Sequence, residues 1–514
     1  MKRRFGKIKD DIFNGKLFEN KKSIRNMSNR KFSKNIIMGN DVYIDMYAGL
    51  ETYKKSNFLY GNMTDIRECF LEPNILQMNM SYIVKDYDGV LYETYREIFE
   101  NAGYNVKVVN FIDYLESDKF NVFSFFNYEQ DVSMFVDLVT KSYTLDISNS
   151  ERLVKSAEKY LLEAILYYIM IELPHEEHNM KTVFRMLKLA KPYDGVESEY
   201  ASDLDLLFND IDDNEEHMAL YKYNKFKTSA ARIERMVIEN IEQYLALYNV
   251  NSIRTICNEN EIQIEEMIDS YEILFVVTPL QAKEYERISD IFMYQSIMYL
   301  DYLAEKKYHG KLPAPIHIMA PGMISPLMDI AVENCYKRNM LLTLGTDRLA
   351  AYSNIYSNVY DLIEKCSVFI CYDYNNLEIK EYVKSLVIEK YNSDIHTEEK
   401  VSVNANIEIE DYMEMEDADC VVCIQYVKAI CAEVFEPSRL SSFEEVTSKE
   451  MKAYMESVEQ ALAGQIYSNL IGEISKNVGA IKIGDGVNID IGAKKLITDR
   501  VYENITMKVK KNLF

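Results

Sequence analysis

Residues 58–86 constrain the fold of this chain more than any other stretch. An apolar run, Phe58–Tyr60, meets Gly61; a helical pattern follows to Gln77; a second apolar run, Tyr82–Val84, ends at Asp86. Strand, glycine turn, helix and strand in this order form the repeating unit of a parallel sheet. Such a turn binds phosphate when it reads G-x-x-x-x-G-K-[ST]. Its backbone N–H groups then cradle the anion, its lysine neutralises charge and its hydroxyl ligates Mg²⁺. Here the turn reads Gly61-Asn62-Met63-Thr64-Asp65-Ile66-Arg67. Asp65 stands at the second glycine, Ile66 at the lysine and Arg67 at the hydroxyl. A carboxylate where backbone approaches polyphosphate repels the ligand, so the sequence reads as a phosphate-binding frame without its chemistry.

A chain of 514 residues is too long for one ordinary domain and predicts two or three. Apolar residues make up 48% of it, enough for a sizeable core. Tyr is abundant (40), Trp is absent, and Gly and Pro are scarce (17 and 9), which suits a helix-rich α/β protein without long flexible linkers. The longest apolar run is Ala164–Ile171, well short of the ~18 residues that span a bilayer. The basic N-terminus is not followed by the apolar region of a signal peptide. Eight scattered cysteines predict a reducing, cytoplasmic setting and no disulfide framework.

Charge is uneven. Residues 1–35 carry 12 Lys/Arg and 3 Asp/Glu, a net of +9, which leaves −33 on the rest of a chain whose total is −24. An acidic body is a poor match for a nucleic-acid backbone, so nucleic-acid binding is expected to be weak and confined to the arm. The basic arm suits an anionic lipid surface or an acidic partner. The plainer reading of such an arm is a solvated tail.

The strand–helix alternation continues through a helix at Leu91–Gly103 and a strand at Asn105–Phe111. It stops near Tyr128. From there to Asp269 the helical period dominates: Ala157, Leu161, Ala164, Ile165 and Tyr168 share one face. Strands return at Ile273–Thr278, Ile316–Ala320, Leu341–Gly345, Ser367–Tyr372 and Cys420–Gln425, with helices between, and a long helix is expected near Phe443–Ile474. The predicted architecture is α/β, a nucleotide-binding-type domain with a mainly parallel central sheet and an inserted all-α domain. Its parts are a basic arm at 1–35, the sheet domain at 36–127 and 269–440, the helical insertion at 128–268, and a C-terminal helix and tail at 441–514.

The stretch Phe70-Leu71-Glu72-Pro73-Asn74-Ile75-Leu76-Gln77-Met78-Asn79-Met80-Ser81-Tyr82-Ile83-Val84-Lys85-Asp86-Tyr87-Asp88-Gly89 resembles F-x-K-P-N-L-L-Q-x-N-x-S-Y-V-V-T-D-P-K-G of the TraG-type coupling proteins of type IV secretion and conjugation. Those proteins are ring-forming DNA-transfer ATPases. Ala102-Gly103-Tyr104, Asn121-Val122-Phe123 (the proline of the family's N-P-F lost), Ala157-Glu158-Lys159, Glu172-Leu173-Pro174, and Phe226-Lys227 with Ala230-Ala231 (followed by Arg232-Ile233 where the family has Gly-Lys) resemble further family motifs in order. The resemblance covers roughly 35–435. It implies that the sheet domain is RecA-like, of the P-loop NTPase type, and that a Walker B strand ends in Asp-Glu, where this chain has His317-Ile318-Met319-Ala320-Pro321-Gly322. The acidic pair is therefore Pro321-Gly322. The family's phosphate-sensing glutamine falls near Gly345, and its N-terminal transmembrane helices have no counterpart in this sequence. Asp86 keeps the family's strand-end acidic position.

Other constellations carry less. Cys420 and Cys423 form a lone CxxC in an apolar strand without two further ligands. His175-Glu176-Glu177-His178 has i, i+3 spacing, not H-E-x-x-H, and follows Pro174. Neither these residues nor Asp86 with Asp88 are read as a metal site, and no catalytic residue is assigned. The expected function is that of a pseudo-ATPase: a non-hydrolysing adaptor or regulator in a secretion or conjugation system, with machinery proteins as partners and an intact TraG-type ATPase among them. No cofactor is expected. The location is expected to be cytoplasmic, with salt-reversible contact of 1–35 at the inner membrane face. The alternative is an active DNA-translocating ATPase, with ATP and Mg²⁺, in which Arg67 or Lys85 replaces the lysine. A decayed gene product is the third reading, and the local consistency of the sequence argues against it.

Overall fold

Strands that are apolar along their whole length have no face for water, and helices on both sides of a sheet resolve this. The computed structural model describes residues 18–19, 23–47, 56–140, 148–192, 202–211, 217–230, 233–325, 328–352, 355–356, 358–394, 409–416, 418–425 and 427–440. Residues 1–17 of the basic arm and the helix expected at Phe443–Ile474 lie outside them.

In chain order the strands are β1 (Asn35–Gly39), β2 (Val42–Asp45), β3 (Ser56–Tyr60), β4 (Ser81–Tyr87), β5 (Asn105–Asn110), β6 (Glu272–Thr278), β7 (Ile316–Pro321), β8 (Met340–Thr346), β9 (Val368–Cys371), β10 (Cys420–Ile424) and β11 (Ile430–Ala432). Nine of them form one sheet in the order β11-β10-β9-β3-β8-β7-β4-β6-β5. From β9 to β5 every pairing is parallel. Strands β10 and β11 join antiparallel. The sheet is the mainly parallel one that the alternation predicts. Two features are additional. Strands β1 and β2 form a separate antiparallel hairpin, and β11 has three residues, too few for a pattern to show. The hairpin is clamped to the core by Asn74, whose side chain accepts from the Ile37 N–H and donates to the Ile37 carbonyl, both at 2.9 Å.

The helix after β3, here α1, runs through Met63–Ile66, a wider π-type segment at Arg67–Leu71, and Glu72–Ile75. Helix α2 (Val90–Asn101) follows β4. Both lie on one face of the sheet: Phe70 of α1 packs edge-on to His317, and Phe99 of α2 to Phe275. Between β5 and β6 the described residues form helices α3 (Glu129–Thr140), α4 (Asn149–Glu172), α5 (Met180–Leu189), α6 (Asp203–Asn209), α7 (Met218–Ala230), α8 (Glu234–Tyr244), α9 (Asn251–Ile256) and α10 (Glu266–Asp269). A capping box of Ser148 and Glu151 starts α4. The A-E-K motif is a packing device. Glu158 is fully buried and accepts from Asn240 at 2.7 Å, while Lys159 pairs with Asp137 of α3 at 2.7 Å.

The remaining helices are α11 (Lys283–Lys307), α12 (Met328–Arg338), α13 (Val359–Lys365), α14 (Leu377–Asp394) and α15 (Ile409–Glu416). Helix α11 covers the face opposite α1: Lys85 of β4 reaches Asp290 of α11, whereas its even-numbered neighbour Tyr82 meets His317 and Phe99 on the α1 side. No helix among the described residues is long and apolar enough to cross a membrane.

Candidate functional site

In a parallel α/β sheet the ligand crevice lies outside the carboxyl ends of the strands. Here that edge collects the ends of β3, β8, β7 and β4. It therefore collects Gly61–Arg67, Gly345, Pro321-Gly322 and Asp86.

The turn after β3 is closed by its own side chains. Asn62 caps α1: its Oδ1 accepts from the Asp65 N–H at 2.8 Å and its Nδ2 donates to the Asp65 carboxylate at 2.6 Å. An amide that a phosphate-binding turn presents to its anion is spent internally. Helix α1 begins at Met63, with Thr64 in its first turn. Ile66 is fully buried. Arg67 is held by Glu68 at 2.6 Å and Glu72 at 3.5 Å. It offers no free cation to the turn. The mouth is acidic: the Asp65 carboxyl is pushed up by partial burial and then by Glu68 and Asp373. Across the turn, Tyr372 packs so near Gly61 that a methyl there would lie 3.0 Å from the tyrosine Cβ.

Two pairs of positions are repacked together. A Cβ on Gly345 would meet Ile66 Cδ1 and Leu59 Cβ, each at 3.2 Å. The isoleucine at the lysine position therefore occupies the space of a side chain at 345. Gly322 has φ +70° and donates its N–H to the Gly345 carbonyl at 2.6 Å. A Cβ on Gly322 would fall on the Tyr87 hydroxyl. Tyr87 stands at the family's proline in D-P-K-G, so the tyrosine fills the space that opens when the second acidic residue becomes glycine. Gly322→Ala is expected to cost about 1–3 kcal/mol, from the collision and the strained backbone. Adding Tyr87→Phe recovers only part of this, because the ring carbon Cζ would still lie 3.0 Å from the new Cβ and the backbone strain remains. Urea denaturation of the single and double variants checks this; a Gly322→Ala protein as stable as the parent would contradict it.

Lys85, the other basic residue proposed to replace the missing lysine, lies elsewhere. Its side chain is fully buried on the α11 face, 2.6 Å from Asp290 Oδ1. Burial works against its charge, but Asp290 outweighs burial and holds its pKa above the ordinary value. Asp290 Oδ2 also accepts from the Ile324 N–H at 3.2 Å. The Tyr352 hydroxyl donates to the Met323 carbonyl at 2.8 Å, and Tyr356 to that of Ser325 at 2.9 Å. The segment after β7 is thus pinned at each residue from 322 to 325. A charged residue inside the apolar run of β4 signals a buried partner, but the partner lies 205 positions away and has no local mark.

Asp86 is fully buried and receives the N–H groups of Leu91 (3.1 Å) and Tyr92 (2.9 Å). It caps α2, whose own cap residue is Gly89. Burial pushes its carboxyl up to about 7, against the pull of those two amides. Burial also pushes Glu72 up to about 7, against Arg67. Carboxylates of the unfolded chain titrate near 4. Both groups therefore bind protons more tightly when folded, and their contribution to stability falls as pH rises from about 4 to about 7. Melting across pH 5–8 is expected to show Glu72→Gln flattening that slope. An identical slope in parent and variant would contradict the assignment.

His317 is buried beneath α1, bonded through Nε2 to Thr343 at 2.8 Å; burial drives its pKa down to about 3, so it stays neutral. Cys420 and Cys423 are buried in β10. His175–Glu177 form a surface turn, and His178 Nε2 bonds the Leu173 carbonyl at 3.0 Å. No cluster of His, Cys, Asp and Glu among the described residues has the geometry of a metal site.

The family described as "Type IV secretory system Conjugative DNA transfer" matches residues 69–319. No curated protein matches the sequence. Among solved structures, the chain is similar to the bacterial conjugative coupling protein TrwBdeltaN70 in complex with sulphate, at 9% identity and a TM-score of 0.56, over 83% of this chain and 95% of that one. It is likewise similar to plasmid coupling protein TrwB in complex with the non-hydrolysable ATP analogue ADPNP (10% identity, TM-score 0.54, 83% and 95% covered). TrwB in complex with ADP and Mg²⁺ matches at 10% identity and a TM-score of 0.55, over 82% and 93%. Identities this low speak for the RecA-like fold, while the family match speaks for descent through α1, the insertion and β7. Over residues 69–319, just under half of the chain, the sequence is thus similar to the conjugative DNA-transfer family of type IV secretion, and its fold is that of the coupling protein TrwB.

Proposed function

We propose that this coupling-protein homologue neither binds nor hydrolyses ATP and acts as a non-hydrolysing adaptor or regulatory partner in a type IV secretion or conjugation system. The observation that carries the reading is the paired repacking. Ile66 fills the space at Gly345, and Tyr87 fills the space at Gly322. Positions that decay independently leave cavities or unpaired charges, whereas these four fit one another. The active-motor alternative needs a free cation near the turn, and both candidates are engaged: Arg67 with two glutamates, Lys85 with Asp290. The partners this predicts are machinery proteins, an intact TraG-type ATPase foremost.

Two assays test the reading. Purified protein is expected to show no ATP turnover above a blank, with or without DNA, and to change the turnover of an intact family ATPase when mixed with it. Turnover by the protein alone would overturn the proposal. DNA binding is expected to be weak and to depend on residues 1–35, because the remaining net charge of −33 repels phosphate. A low-salt gel shift by protein lacking 1–35 as strong as that of the full chain would favour the motor reading.

A further inference from the structure

Among the described residues, three exposed apolar side chains share one turn. The loop after β5 presents Ile112, Tyr114 and Leu115, exposed by 43%, 43% and 81%. The turn is fixed from within. Asn110 Oδ1 accepts from the N–H groups of Ile112 and Asp113, at 2.9 and 2.8 Å, and Asp113 Oδ1 accepts from Leu115 at 3.0 Å. Phe111 beside them is buried and anchors the loop. An ordered loop that holds apolar side chains in water is the mark of a surface that a partner covers. Carboxylates crowd the same place. The Glu93 carboxyl is pushed up by partial burial and then by Glu116 and Asp113. The neighbouring cation, Arg96, is shared with Tyr92 and Glu100. The tip is therefore apolar and acidic, and it fits a segment that is apolar and basic.

This chain has one. Residues 2–17 hold Lys2, Arg3, Arg4, Lys7, Lys9 and Lys16 among Phe5, Ile8, Ile12 and Phe13, with Asp10 and Asp11 as the opposing charges. We infer that the β5 tip docks residues 2–17 of a second copy of this chain. The geometry decides between the chain's own arm and a neighbour's. Phe18 is buried, and the Glu19 N–H donates to the Ala429 carbonyl at 2.8 Å, next to β11. Strand β5 is the opposite edge of the sheet. Eight inter-strand steps of about 4.8 Å separate the two edges by about 38 Å. From Phe18 back to Phe13 the chain spans at most about 18 Å, and back to Phe5 about 45 Å only when fully extended. An arm stretched that far cannot lay Phe5, Ile8, Ile12 and Phe13 together on its own tip. It can do so on a neighbour, one edge of each copy serving the other edge of the next, which is a head-to-tail contact.

Sedimentation of the full chain over rising concentration tests this. The expected result is reversible association that weakens at high salt, and weakens about tenfold in Leu115→Glu. Leu115 is exposed, so that change leaves the fold intact. Arg3→Glu/Arg4→Glu weakens association as well, and Glu93→Lys/Glu116→Lys in the same chain restores it. A synthetic peptide of residues 2–17 competes. A monomer at all concentrations would overturn the inference, as would association indifferent to Leu115→Glu, or an arm that binds anionic vesicles while the protein stays monomeric. None of these readouts involves nucleotide.

Discussion

Replacing Ile66 with lysine is expected to lower stability by about 3 kcal/mol or more and to create no ATPase, alone or with Arg67→Thr. Ile66 is fully buried, with its Cδ1 against the backbone position of Gly345. A lysine there must bury its charge or push its amine past Leu59 and Gly345, and an unpaired buried ammonium costs several kcal/mol or loses its proton. Arg67→Thr adds to the loss, because it strips Glu72 of the guanidinium 3.5 Å away. Even a folded double variant lacks a carboxylate at Pro321-Gly322 to hold Mg²⁺ or orient water. Denaturant unfolding and a turnover assay on Ile66→Lys and Ile66→Lys/Arg67→Thr check both parts. A stable double variant that hydrolyses ATP would show that the catalytic base lies elsewhere in the chain.

Removing Asp290 is the second large effect. Asp290→Ala strands the buried Lys85 ammonium and takes the acceptor from the Ile324 N–H. Breaking one side of a buried ion pair costs about 3–5 kcal/mol. Replacing both sides, as in Lys85→Met/Asp290→Leu, is expected to recover most of that, because neither charge then remains uncompensated. Urea midpoints of the three proteins decide the matter. A double variant as unstable as Asp290→Ala would mean that the Ile324 contact, and not the charge pair, carries the loss.

How far the sequence reaches can be read from particular elements. Strands β4, β6, β7 and β8 are legible because each carries a short, mostly apolar run between helical patterns, which suits a covered parallel sheet. The hairpin β1–β2, the strand β11 and the antiparallel direction of β10, itself expected at Cys420–Gln425, escape that reasoning. Their strands are three to five residues long, and strand direction leaves no trace in a short buried run. At the edge of the sheet, the residue types at 65, 66, 67, 321 and 322 show what is missing. What has taken its place is a matter of contacts between distant residues. Tyr87 meets Gly322, Ile66 meets Gly345 and Lys85 meets Asp290 only once β4, β7, β8 and α11 are side by side. Asp86 illustrates the same limit. Its place at a strand end is plain from the sequence, whereas its work as the cap of α2 depends on where Leu91 and Tyr92 point their amides.

Isothermal titration of the full chain with Mg·ATP tests the central claim most directly. The turn after β3 has spent its Asp65 amide on Asn62, buried an isoleucine at the lysine position and ringed its mouth with Asp65, Glu68 and Asp373. No saturable heat is expected up to millimolar nucleotide. One-to-one binding at micromolar ATP, weakened by Arg67→Ala, would show that the turn still takes phosphate and would contradict the account.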